Sequence, residues 1–270
     1  MIARNLLEWV ADTPFSIAFL LIVLPAVVLS VVGILIVRFL HPEEMRINSE
    51  VAQAKVNYMA EIYAVLLGLF LVSAFEMYQD MQTVVRSEAL ALRALYQVTA
   101  QVSPEQPGAL PDLVHAYTRS VIEDEWVLMK FGDASRITQQ HLDSLFAAIA
   151  EAGQQSTATT GTAIQMEQLA RLVLTQRADR LTNGPGVGRQ LSDMLSGVLV
   201  VVTVIAISMP WFIYTSYATV HILLGTALII VFVSLIIVAV KMLYPFAGEL
   251  MIPPVDFFEA LATMNIKSSP

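Results

Sequence analysis

Six residues on one stretch of helix could line a path for ions: Glu61, Gly68, Val72, Phe75, Glu76 and Gln79. On a helical wheel Asn57, Glu61, Gly68, Val72, Phe75 and Gln79 fall within about 60° of one another, with Glu76 just beyond. Polar groups stand at both ends of this face, with small and apolar residues between, a pattern suited to an aqueous path with a hydrophobic constriction. The alternative is that Glu61 and Glu76 reach into the headgroups and Gly68 marks a helix contact. Two further acids, Glu88 and Glu125, fall on or beside apolar stripes, where a carboxylate must be paired or shift its pKa. They either form core salt bridges, with Arg93, Arg119 or Arg171 as nearby partners, or handle ions or protons at a cytoplasmic mouth.

Other constellations are thin. The four histidines (His41, His115, His141, His221) are scattered, so neither a metal site nor a catalytic triad is expected. Gly184-Pro-Gly-Val-Gly follows a helix and lacks a Lys-Ser/Thr pair, which makes it a connector rather than a phosphate loop. With no cysteine, thiol chemistry is excluded. No cofactor and no catalytic residue is expected, so an enzyme ranks below other functions.

The elements that must position these residues are set by composition. The 270 residues are 56% hydrophobic and 14% charged, with a mean hydropathy of +0.66. Soluble domains average about 45–50% apolar and about 25% charged, so whole segments here belong in a lipid bilayer. A net charge of −8 argues against nucleic acid as a partner.

Phe15 to Val37 is uncharged and long enough to span, with Pro25 inside it. It is too long for a signal peptide, and Arg4, Glu8 and Asp12 before it do not make a basic flank. Met194 to Val240 is also uncharged; as one helix it would be about 70 Å long, so it must fold back. Pro210, Trp211, Tyr214 and Tyr217 place a helix breaker and an aromatic belt at the turn, giving spans near 192–213 and 218–242. Ile62 to Phe75, bounded by Glu61 and Glu76, covers only about 21 Å of helix. A span that short needs its acidic ends turned inward, away from lipid.

Four spans put both termini and residues 79–190 on one side, with twelve of the fifteen Lys and Arg residues. The positive-inside rule makes that side cytoplasmic, as expected of a multi-pass bacterial inner-membrane protein. The helix begun near Asn57 meets no breaker until Ser103-Pro104, so it runs on beyond the bilayer with a seam of Met81, Val84, Val85, Ala91, Leu92, Leu95 and Val98. Further helices are predicted at 111–131, at 136–152 with Ser135 as N-cap, and at 162–181. A short amphipathic helix starts at Pro253-Pro, placed on a neighbouring subunit or the membrane surface. The predicted fold is all-α: four membrane helices with a cytoplasmic helical bundle inserted between the second and third. Its parts are 1–78 (spans one and two), 79–190 (cytoplasmic helices), 191–243 (spans three and four) and 244–270 (cytoplasmic tail).

Four segments carry a family likeness: Tyr63-Ala-Val-Leu-Leu-Gly-Leu-Phe-Leu-Val-Ser-Ala-Phe-Glu-Met-Tyr, Arg86-Ser-Glu-Ala-Leu-Ala-Leu-Arg-Ala-Leu-Tyr, Glu123-Asp-Glu-Trp-Val-Leu-Met and Pro245-Phe-Ala-Gly-Glu-Leu. Together they resemble the bacterial bestrophin-like membrane family, and through it the bestrophin channels. The resemblance implies a pentameric ion channel with four membrane helices per subunit, cytoplasmic termini and a helical cytosolic insert. It also implies a pore neck on the second span, at Gly68, Val72 and Phe75. The acids depart from an anion pore: rings of Glu61 and Glu76 favour cations. The competing expectation is a non-conducting scaffold or sensor that binds a partner through its cytoplasmic helices, leaving apolar residues exposed on 104–182.

Overall fold

The computed structural model describes residues 2–40, 49–102, 110–154, 160–184, 198, 201–212 and 217–266, and every regular element among them is helical. Three helices are long and apolar enough to cross a membrane: Phe15–Leu40, Gln53–Val102 and Ala218–Leu243. The predicted third span is described only at residue 198 and from 201 onward, as a helix over 201–208 that tightens into a 3-10 turn at Met209–Phe212. Its beginning, Tyr214, the turn at 103–108 and the connector after Gly184 lie outside the described residues. The chain divides into two compact units, Met1–Met77 with Arg189–Leu250, and Tyr78–Gly188 with Met251–Pro270.

In the first unit, the helices Phe15–Leu40 and Ala218–Leu243 each present a glycine to the turn Met209–Phe212. Gly33 lies directly beneath the Trp211 indole, where a Cβ would stand 2.2 Å from Cε2. Gly225 lies against Pro210, which also offers its carbonyl to His221 Nε2 at 2.9 Å. Close approach by glycine is what membrane helices use when apolar burial itself brings no gain. Trp211 therefore corrects the expected belt, because its indole N–H is buried between helices while Tyr217 is exposed. The long helix joins this unit through Tyr63, whose ring meets Phe232 edge-on at 4.9 Å.

An additional helix, Ile2–Asp12, precedes the first span and was hidden in the sequence among what read as charged flanking residues. Its end is fastened by the Pro245–Leu250 segment. Lys241 Nζ donates to the carbonyls of Ala11 and Thr13, and the Glu249 carboxylate accepts the Phe15 N–H at 2.7 Å. A carboxylate there caps the opening turn of the span and complements its dipole. Gly248, at φ +63°, sits where a Cβ would be 2.0 Å from the Ala11 carbonyl oxygen, so no other residue fits.

In the second unit, Met81, Val85, Ala91, Leu92, Leu95 and Val98 form the buried seam of the long helix. The predicted helix over 111–131 is broken into an α-helix at Leu110–Ser120, a π-helical turn at Val121–Glu125 and an α-helical turn at Trp126–Met129. Gly132, at φ +75°, closes it, with Asp133 N–H reaching back to Leu128 O. Ser135 caps Arg136–Gln154 by accepting the Thr138 N–H, as its sequence position implied. Thr160–Asn183 follows. The tail helix Val255–Ile266 buries Phe257 and Met264 within this unit of its own chain, a correction to the expected seat on a neighbour or a membrane. Phe257 packs edge-on against Trp126, and Tyr96 donates to Met264 O.

Candidate functional site

Among the described residues, the acid-bearing face of the long helix is uncovered. Asn57, Glu61, Gly68, Val72, Phe75, Glu76 and Gln79 are all exposed, and among the described residues nothing lies within 4 Å of where a Gly68 side chain would begin. Val56, Tyr63, Leu67 and Ala74, along the opposite side of the helix, are buried, whereas Tyr58, Ile62, Val65, Leu66 and Leu69 between the two sides are also exposed. Of the three apolar helices this one is the least covered, 17% buried over its most apolar window against 28% for each of the others. An apolar helix carrying two exposed carboxylates suits neither uniform lipid nor a closed protein core.

Glu88 and Glu125 occupy a different setting, a fully enclosed charge network in the second unit. Arg180 reaches both: Nε donates to Glu88 Oε2 at 2.7 Å, and Nη2 to Glu88 Oε1 at 3.1 Å and Glu125 Oε1 at 2.9 Å. Arg177 grips Glu125 through Nε at 3.2 Å and Nη2 at 2.6 Å, and its Nη1 donates to Gln139. The Tyr117 hydroxyl donates to Glu88 Oε1 at 3.0 Å. The Arg180 guanidinium lies over the rings of both Trp126 and Phe257, at 5.4 and 5.7 Å, and those two rings also pack on each other. Two acids and two guanidinium groups balance, and every carboxylate oxygen has a donor.

The π-turn aims Glu125 into this network. Trp126 N–H bonds Val121 O in the wider register, and the Thr138 hydroxyl donates to Ser120 O at the start of the turn. Burial and the adjacent Glu88 carboxylate push the Tyr117 phenol well above its ordinary pKa, so it remains a donor. Burial opposes charge on Arg180, but the Glu88 charge and hydrogen bond, reinforced by Glu125, hold its pKa above the usual arginine value. For Arg177 burial is likewise outweighed by the Glu125 hydrogen bond and charge.

The salt bridges expected of Glu88 and Glu125 are present, but with other partners than Arg93, Arg119 and Arg171. Arg119 pairs with Glu123 and Arg171 with Glu167, both exposed i,i+4 contacts, and Arg93 is exposed. A signal for the true partners was available. Met166, Ala170 and Val173 mark a helical stripe that continues at the same spacing into Arg177 and Arg180. Guanidinium groups on an apolar stripe imply buried acids opposite. Among the described residues no group of three His, Asp or Glu side chains converges on a metal position.

A family model, the bestrophin-like domain, matches residues 24–257. The chain belongs to the bestrophin-like family. Solved bestrophin structures share its fold. One variant of a bacterial bestrophin homologue from Klebsiella pneumoniae aligns over 92% of this chain and 99% of that chain, at 12% identity and a TM-score of 0.70. A second variant of that homologue aligns over the same shares at 13% identity and a TM-score of 0.69. No curated protein matches the chain. Family membership and the apolar helices make this a membrane protein of the bestrophin-like fold. The matched region contains the acid-bearing face, the charge network and the Gly248–Glu249 fastening, but not the helix Ile2–Asp12.

Proposed function

We propose that copies of this chain assemble into a ring, five by family resemblance, whose second span lines an ion-conducting pore. The observation that carries this reading is the uncovered face of the long helix, with Glu61 and Glu76 flanking Gly68, Val72 and Phe75. Lipid would penalise the two carboxylates, whereas an aqueous axis shared by several copies solvates them. Gly68, Val72 and Phe75 form the constriction, Gln79 stands beyond it, and the rings of Glu61 and Glu76 favour cations. The chain crosses a bacterial inner membrane four times, at 1–78 and 191–243. Residues 79–190 and the tail 244–270 are cytoplasmic, the side rich in Lys and Arg.

The test is ion flux from liposomes holding the purified protein. Cation-selective flux is expected, and Glu61→Gln with Glu76→Gln lowers the cation-to-anion permeability ratio several-fold. Flux at the background of empty liposomes, unchanged by either variant, would overturn the reading.

One observation favours the scaffold alternative. Val127, Phe131, Ile137, Ile164, Leu172 and Leu174 are each at least 41% exposed on the second unit. Contacts between copies would cover such residues equally well. Crosslinking between copies through single cysteines at these positions supports the ring, and its absence supports a foreign partner.

A further inference from the structure

We propose that the helix Ile2–Asp12 is a lipid-docking element, lying along the bilayer surface with Leu6 and Trp9 seated among acyl chains at the headgroup boundary. The helix has three edges. Leu7, Val10 and Ala11 are buried against its own unit, with Ala11 fully enclosed. Glu8 and Asp12 form a polar, exposed edge. Leu6 and Trp9, at i and i+3, form a third edge that is apolar yet 49% and 42% exposed.

Position identifies what covers that edge. Only Thr13 and Pro14 separate the helix from the first span. Lys241, Glu249 and Gly248 fasten the junction, so the helix is held at the level where that span begins. Ile17, Leu20 and Leu21, in the opening turns of the span, are 48%, 58% and 53% exposed and face the same apolar surroundings. A tryptophan, with an apolar body and one N–H, suits that depth. Arg4 against Glu8 and Asp12 leaves this helix without a positive balance. Docking therefore rests on apolar contact rather than on anionic headgroups and is insensitive to salt. The inference needs the first span to be in the membrane, but not that the protein conducts.

The full chain has no cysteine, so Leu6→Cys and Glu8→Cys each carry a single thiol for a spin label. In phosphatidylcholine vesicles, the label at position 6 is expected to collide several-fold more with oxygen than with a water-soluble nickel chelate, and the label at position 8 the reverse. Neither result moves at high salt. Acyl-brominated phosphatidylcholine is expected to quench a component of the tryptophan emission that Trp9→Phe removes. A position-6 label open to nickel would place the edge in water and overturn the proposal. A label shielded from both reagents, with Trp9 unquenched, would show that another copy covers it and would equally overturn it.

Discussion

The two units solve the packing problem in opposite ways. Among the described residues, the unit that carries the spans buries few polar or charged side chains, namely Ser30, His221 and Lys241. The other unit builds its centre from Glu88, Glu125, Arg177, Arg180 and Tyr117 and wraps apolar residues around them. In the proposed arrangement, with the spans in lipid and the other unit in water, the difference follows from solvent. Lipid tails are as apolar as leucine, so helices in a bilayer gain by fitting closely, through Gly33 and Gly225, rather than by hiding apolar surface. In water, apolar burial is driven by the solvent but is not directional. A buried ion network adds direction, because each charge is tolerable only beside its partner. Here the network joins the long helix, the π-turn and the helices at 110–120, 136–154 and 160–183, with the tail helix against Arg180. We take it as the feature that selects one arrangement of those elements.

The sharpest way to break this contrast is Arg180→Met. Methionine replaces the stem but leaves Glu88 with the Tyr117 hydroxyl and Glu125 with Arg177, two carboxylates against one cation in a closed core. A loss of about 3–5 kcal/mol is expected. Thermal unfolding in detergent measures it, and hydrogen exchange should show lost protection in 78–183 and 255–266 while the spans stay protected. Arg180→Met combined with Glu88→Leu restores charge balance and should recover most of the loss. A single variant within 1 kcal/mol of the parent would mean that apolar packing alone holds this unit.

Gly33→Val probes the other half by shape rather than charge. The new side chain meets the Trp211 indole, whose ring atoms lie 2.2 to 2.6 Å from the ideal Cβ. Overpacking of this kind costs about 1–3 kcal/mol. The melting temperature should fall, with a change in tryptophan emission as the indole leaves its seat. Trp211→Ala placed on the same background should return part of the stability. If Gly33→Val alone melts like the parent, these helices do not depend on the glycine contact.

What the sequence made legible divides along the same line. Long apolar runs and their breakers are local, so the helices at 15–40, 49–102 and 218–243 were readable to within a few residues at most ends, the early start of the long helix excepted. The burial of Glu88 and Glu125 was also readable, since each lies by an apolar stripe. Their partners were not, because Arg180 stands 92 residues from Glu88 and 55 from Glu125, and nearer arginines compete for attention. The π-turn has no residue signature, as it arises from the need to point Glu125 at those guanidinium groups. The acidic face at 57–79 was visible as a pattern. In the proposed ring, what it faces is set by the other copies, which one chain's spacing does not encode.

Tyr117→Phe gives the smallest expected change and the finest reading of the network. Glu88 Oε1 keeps its bond from Arg180, so losing the phenol should cost only about 1 kcal/mol. The informative part is its pH dependence. The phenol's pKa is raised in the folded chain, by burial first and by Glu88 second, relative to about 10 in the unfolded chain. The folded state therefore holds this proton more tightly, and stability falls as pH rises past the unfolded value. The gap between parent and variant should be constant below about pH 10 and shrink above it. Denaturant titrations on both proteins between neutral and alkaline pH measure that gap. A gap that widens with alkali would mean that the phenol ionises more readily inside the fold than outside it, against a neutral donor held by Glu88.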